Sequence, residues 1–295
     1  PIDTLYISPL LFPRRPHHKL LKDEKLSKDE RNNPLSDARK AQGLFDDEVT
    51  AWRTLPPAQR AVFRALLARE PGFGGFFAWL DDTPPPEAAL AEAIGDAFAG
   101  RICGHARLDA GIANTPVELA YCLALATGTE DAGDYTLPPW VSRNYPKTSN
   151  ALRLLRGAPC AEGCAWCRAR LDPQRGLKQF FGFDAFRTYA GEPLQERAAA
   201  AAVEGRSLLA VFPTGGGKSI TFQVPALMAG ENEKALTVVI SPLQSLMKDQ
   251  VDNLEARGIV QAVAINGLLD PIERAKALAR IADGSATLLY IAPES

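Results

Sequence analysis

From about residue 178 onward, the hydrophobic positions alternate between two textures. Short runs rich in Val, Ile and Leu, at residues 208–212, 236–240, 262–265 and 287–291, have the length and composition of buried strands. Between them lie "KSITFQVPALMAG", "LQSLMKDQVDNLEARG" and "DPIERAKALARIADG", whose apolar residues recur at helical spacing. Strands separated by helices predict right-handed crossovers, and so a mostly parallel sheet with helices on its faces, an α/β lobe. Upstream the pattern is different. Residues 51–150 are Ala- and Leu-rich helical stretches such as "PPAQRAVFRALLARE", broken at "PGFGG" and "TPPPE", and read as a helical connector. Residues 1–50 open with "PIDTLYISPLLF", which reads as a strand. A charged stretch "HHKLLKDEKLSKDER" follows, then "NNPLSDARKAQGLFDDEV", a turn placing Asp37 near a helix start. Residues 151–177 carry a cluster of cysteines.

Composition adds bounds rather than answers. With 46% hydrophobic and 23% charged residues over 295, the chain is of ordinary globular type and long enough for about two cores. A net charge of −2 announces no nucleic-acid partner, so such a surface has to be a local patch. No apolar run approaches the roughly 20 residues needed to cross a bilayer, and no membrane role is expected. Five cysteines, three of them clustered, do not make a secreted disulfide framework and point to a reducing compartment. The chain begins at Pro1 and stops at Ser295 just after "TLLYIAPES", so it reads as an internal piece of a longer protein.

The sharpest chemistry lies in "SLLAVFPTGGGKSITFQVPAL". Gly215, Gly216 and Gly217 stand between an apolar run and a helix, where Thr214 and the glycines let backbone amides close around an anion. The helix adds its positive N-terminal end at the same place. Lys218 is placed to reach the β- and γ-phosphates and Ser219 to ligate Mg²⁺, so the loop suits ATP carrying a divalent cation. The strict phosphate-loop pattern wants glycine at position 212, where this chain has Phe212.

Upstream, Leu177, Phe181, Gly182, Phe183, Phe186 and Arg187, followed by Gln195, resemble the adenine-recognition motif of RecQ-type helicases of superfamily two. The family has two residues between that arginine and glutamine; this chain has seven, "TYAGEPL". "VVISPLQSLMKDQVDNL", "NGLLDPIERAKAL" and "LLYIAPES" resemble the family's next segments in order, although Glu294 precedes Ser295 where the family often has arginine. The resemblance covers residues 177–295. It implies a RecA-like first lobe in which Gln195 and Arg187 hold adenine and Ser241, Pro242, Lys248 and Pro293 hold single-stranded or forked DNA. It also implies a cytoplasmic, nucleoid-associated protein coupling ATP hydrolysis to movement on DNA. The acidic motif and second lobe of the family are expected beyond Ser295, so this piece alone should bind nucleotide weakly and barely hydrolyse it. The rival readings are another P-loop ATPase, such as a nucleotide kinase or clamp, and a non-catalytic nucleic-acid adaptor. Protein partners are not legible.

"APCAEGCAWCRARL" sets Cys160, Cys164 and Cys167 at a spacing that lets three thiols meet one soft metal centre. Cys122, Cys103 and His105 are candidates for a fourth ligand, with Cys122 placed first. Spacing leaves Zn²⁺, a 4Fe–4S cluster and three plain thiols all open. The spacing also resembles the cluster loop of radical S-adenosylmethionine enzymes, but a helicase lobe begins within about ten residues, where those need a long barrel. Residues 1–50 resemble the tail of a DnaQ-type exonuclease, whose carboxylates hold two metal ions. There Asp37 matches the last carboxylate, and the histidine that one branch carries five positions earlier is replaced by Asn32.

Overall fold

The computed structural model describes residues 2–13, 34–80, 89–127, 138–267 and 269–293. The chain forms two compact units, of which the first comprises 1–99, 107–133 and 137–151, and the second 100–106, 134–136 and 152–295.

Helices α1 (Thr4–Leu11), α2 (Pro34–Thr54), α3 (Pro57–Leu67), α4 (Gly74–Leu80), α5 (Leu90–Ala97), α6 (Leu108–Asn114), α7 (Pro116–Thr127) and α8 (Pro139–Asn144) build the first unit. Helix α9 (Thr148–Leu152) follows. The opening segment is therefore a helix and not the strand its β-branched residues suggest. Asp3 caps it by accepting from the Leu5 amide at 2.9 Å, and Ile7 to Leu10 are buried consecutively, which no alternating strand face provides. Aromatic rings fill the core: Trp52, Phe63, Phe73, Phe76, Phe77 and Phe98 are almost wholly buried, with Trp52 edge-on to Phe77 at 5.3 Å. Glu48 lies in that interior, and neither carboxylate oxygen finds a hydrogen-bond partner among the described residues. Asp37 stands exposed in the first turn of α2, as read from the sequence. The group of converging metal-donor side chains among the described residues does not include it, and Asn32 lies outside those residues.

The second unit holds α10 (Ala165–Arg170), α11 (Pro173–Phe181), α12 (Leu194–Val203), α13 (Ile220–Glu233), α14 (Gln244–Glu255) and α15 (Pro271–Asp283). Strands β1 (Thr237–Ile240), β2 (Ala262–Ile265) and β3 (Leu288–Ile291) form a parallel sheet in the order β1-β3-β2. Central β3 is largely buried, as a strand between two neighbours should be, and β2 equally so, while edge strand β1 leaves Ile240 69% exposed. Asp270 caps α15 through the amides of Ile272 and Glu273, and Gly284, in the left-handed region, ends it. Helix α13 packs closely on its neighbours because Gly176 lets α11 approach: a Cβ there would sit 2.6 Å from Met228 Sδ. Together these elements form an α/β, RecA-like arrangement of parallel strands and flanking helices.

One strand expectation fails here. Residues 208–212 are not hydrogen-bonded into a ladder among the described residues. Leu209 and Val211 are 90% and 79% exposed, and only Phe212 turns inward. Composition favours a strand, but strand structure requires a neighbour to pair with. No described helix is long and apolar enough to cross a membrane.

Candidate functional site

The glycine turn leads directly into α13. Gly215 and Gly217 take φ of +74° and +68°, and the Gly216 amide closes a tight turn on the Pro213 carbonyl at 3.0 Å. A side chain at 217 would also run into the Gln195 amide nitrogen, 2.9 Å from an added Cβ, so glycine is required there on two counts. Ser219 stands at the helix start without a capping hydrogen bond from its side chain, which leaves its hydroxyl for an outside partner. Thr214 and Lys218 are exposed, and Lys218 Nζ donates to the Phe212 carbonyl at 3.2 Å, so the ammonium is held at the loop.

Three side chains from the preceding segment converge on this loop. Gln195, in the first turn of α12, is 2% exposed and uses its whole amide. Its Oε1 accepts from the Arg187 amide at 2.8 Å, and its Nε2 donates to the carbonyls of Gly216 and Gly217 at 2.9 and 3.1 Å. Arg187 reaches the Gly215 carbonyl with Nη1 at 3.4 Å. The seven-residue spacer between them is absorbed in a hairpin. Tyr189 and Glu192 pair by mutual backbone hydrogen bonds of 2.9 Å, with Ala190 and Gly191 at φ +50° and +83° as in a type I′ turn. Arg187 and Gln195 thus come together despite the added residues.

The hairpin also delivers a residue that motif reading missed. Tyr189 donates its hydroxyl to the Gly216 carbonyl and accepts from Gln195 Nε2 at 3.4 Å, and its ring lies 5.2 Å from that of Phe212. The signal was present in the sequence: an aromatic residue within the spacer and another at the position where the strict pattern has glycine. Replacing Tyr189 with Phe keeps the ring and removes one loop hydrogen bond, so nucleotide affinity should fall about threefold to tenfold. Titration with a fluorescent ATP analogue checks this, and unchanged affinity would show that the hydroxyl has no part in holding the loop. Beside these residues lies a cavity of about 380 Å³ lined by Leu177, Phe183, Phe186, Arg187, Gln195 and Gly217. An apolar slot ending in one amide and bordering the glycine turn has the shape and chemistry for a nucleobase whose phosphates enter the loop.

Residues 192–295 match the model of the DEAD/DEAH box helicase family. Over 121 residues the chain is 45% identical to ATP-dependent DNA helicase Q5 of Rattus norvegicus, covering 40% of this chain and 12% of that protein. It is 44% identical over 119 residues to ATP-dependent DNA helicase RecQ of Bacillus subtilis and 42% over 118 to RecQ of Haemophilus influenzae. Those matches cover 40% of this chain in each case, and 18% and 17% of the relatives. The matched segment is RecQ-like. The chain spans less than a fifth of the length of each of these relatives.

In the RecQ-like segment the remaining sequence candidates gather at the carboxyl end of the sheet. Ser241 follows β1 and donates its amide to the Ile291 carbonyl at the end of β3 at 3.0 Å; Pro293 follows β3 itself. Pro242 is exposed on the loop into α14, and Lys248 is exposed on that helix. Behind them Gln223 of α13 donates to Gln250 of α14 and to the Tyr290 hydroxyl of β3, both at 2.9 Å, tying the helix after the glycine turn to the strand end. Glu294 and Ser295 lie outside the described residues.

The cysteines regroup. Cys160, Cys164 and Cys167 are joined by Cys103, and all four sulfurs lie within 4.8 Å of one another. Cys122, the first choice for a fourth ligand, is not among them: it is buried on α7 in the other unit and hands its thiol to the Thr148 carbonyl at 3.2 Å. His105 is half-exposed and faces Glu162 at 4.0 Å. Burial raises the Cys103 thiol and lifts Cys167 to about 11. Burial also opposes ionisation of Cys164, but amides of Cys167 and Gly104 and the neighbouring thiols outweigh it and bring Cys164 to about 6.

Proposed function

We propose that the protein carrying this segment is an ATP-dependent DNA helicase of the RecQ type. The observation that carries the proposal is the Gln195 amide, which borders the base-sized cavity and grips the carbonyls of the phosphate loop at once. Bound ATP would lay its base among Leu177, Phe183 and Phe186 with Gln195 and Arg187 at its edge, and its phosphates against the amides of Gly215 and Gly217 and the Lys218 ammonium. Mg²⁺, bound with the nucleotide, supplies charge neutralisation across the phosphates. Ser219 supports this reading, since its hydroxyl makes no capping bond and is the donor suited to that ion.

Single-stranded DNA would run over Ser241, Pro242, Lys248 and Pro293, where strand-end loops and the start of α14 offer amides, a hydroxyl and one cation to phosphates. The similarity to proteins named as ATP-dependent DNA helicases supports DNA over other polymers. The test is ATP hydrolysis by the full-length protein with and without single-stranded and forked DNA. Stimulation of at least about tenfold is expected; a rate indifferent to both DNAs rejects the helicase reading and favours a DNA-independent P-loop ATPase.

A further inference from the structure

We propose that Cys103, Cys160, Cys164 and Cys167 form a closed tetrathiolate site for a single zinc ion, with Cys103 as the fourth ligand. The site does not depend on the nucleotide reading, and the RecQ-like resemblance supplies no zinc at this place in the chain.

Sulfur spacing selects the kind of centre. Zinc–sulfur bonds of about 2.3 Å in a tetrahedron set the ligand sulfurs about 3.8 Å apart. Here Cys103 Sγ is 3.8 Å from Cys164 Sγ and 3.6 Å from Cys167 Sγ, and no pair in the group exceeds 4.8 Å. A four-iron cluster holds its cysteines at the outer corners of a box already filled with iron and sulfide, and so spreads them further apart. The observed group closes around one ion and leaves no room for a box.

The surroundings are those of bound thiolates. Each sulfur accepts at least one backbone N–H: Cys103 from His105, Cys160 from Cys164 and Cys164 from Gly104, at 3.3–3.4 Å, and Cys167 from Cys160 at 3.4 Å. Four amides aimed at four sulfurs spread the charge that a tetrathiolate carries. Two tight turns present them. Gly163, at φ +59°, bends the chain between Cys160 and Cys164, while the Cys103 amide is anchored on the Leu155 carbonyl at 2.8 Å. Trp166, between Cys164 and Cys167 in the chain, is buried in the same apolar cluster as Cys103 and Cys167, with the Arg156 guanidinium 4.7 Å from its ring centre.

The ion has a structural task. It fastens residues 103–106 to the turn that precedes α10 and α11, and Cys103, Trp166, Cys167, Leu171, Leu177 and Phe181 belong to one continuous apolar cluster. All four positions are taken by protein, so the site holds no opening for a substrate.

The experiment measures metal in the purified full chain. Wild type and Cys122→Ser should each hold about one zinc per chain, and Cys103→Ser should hold it about tenfold more weakly. Because Cys103→Ser could fail to fold, wild type is also reconstituted with cobalt. The visible bands of tetrahedral cobalt, with sulfur-to-metal charge transfer of four-thiolate intensity, are expected. Iron with labile sulfide, wild type devoid of metal, loss of zinc in Cys122→Ser but not in Cys103→Ser, or a cobalt spectrum of fewer thiolates would each overturn the assignment.

Discussion

Full-length protein carrying Lys218→Ala should hydrolyse ATP about 10²–10³-fold more slowly than wild type, with or without DNA. Lys218 is exposed, and its ammonium donates to the Phe212 carbonyl at 3.2 Å, so the loop loses little support when the side chain is cut back. What disappears is a positive charge held between the glycine turn and the positive end of α13. Lys218→Arg should not restore the rate, since a planar guanidinium does not replace a compact ammonium in a closely wrapped turn. The thermal midpoint should be unchanged. A variant that keeps wild-type hydrolysis would place the nucleotide somewhere other than this loop.

The second large effect belongs to the helical unit and to stability. Burial, with Asp3 and Asp47 adding repulsion, raises the Glu48 carboxyl from 4.5 to about 8. The folded chain therefore keeps this proton up to about pH 8, while the unfolded chain gives it up near 4.5. The folded state binds the extra proton across that window, so stability is complete at its acid end and falls as pH rises through it. The slope is about 1.4 kcal/mol per pH unit. Glu48→Gln has no proton to lose. It should match wild type near the acid end and exceed it by roughly 3 kcal/mol at neutral pH. Thermal midpoints of both chains across the window decide the matter; parallel curves would mean that Glu48 is ionised in the folded state.

The C-terminal lobe was legible because its signals are local. Runs of Val, Ile and Leu marked β1, β2 and β3 within a residue, and Asp270 and Gly284 marked the ends of α15. The glycine turn was legible for the same reason, since anion-binding backbone needs glycine at consecutive positions. Where the reading failed, the deciding partner was remote. The first segment has strand composition but is a helix, because Asp3 caps it and four consecutive residues find burial. The run 208–212 has strand composition without a strand neighbour. Cys103 lies far along the chain from Cys160, so spacing could not rank it above Cys122. Tyr189 drew no notice because its role depends on a hairpin whose turn residues, Ala190 and Gly191, matter only once Arg187 and Gln195 are seen side by side.

The double engagement of Gln195 has an energetic consequence. On the proposed reading one amide would serve both a purine edge and two loop carbonyls, so occupancy at either end would change the free energy of the other. Thermodynamic reciprocity then requires that the base alter the grip on polyphosphate by the same factor that polyphosphate alters the grip on the base. ATP, joining both ends covalently, would meet this demand in one step, whereas adenosine and inorganic pyrophosphate would each bear the cost of rearranging the amide alone.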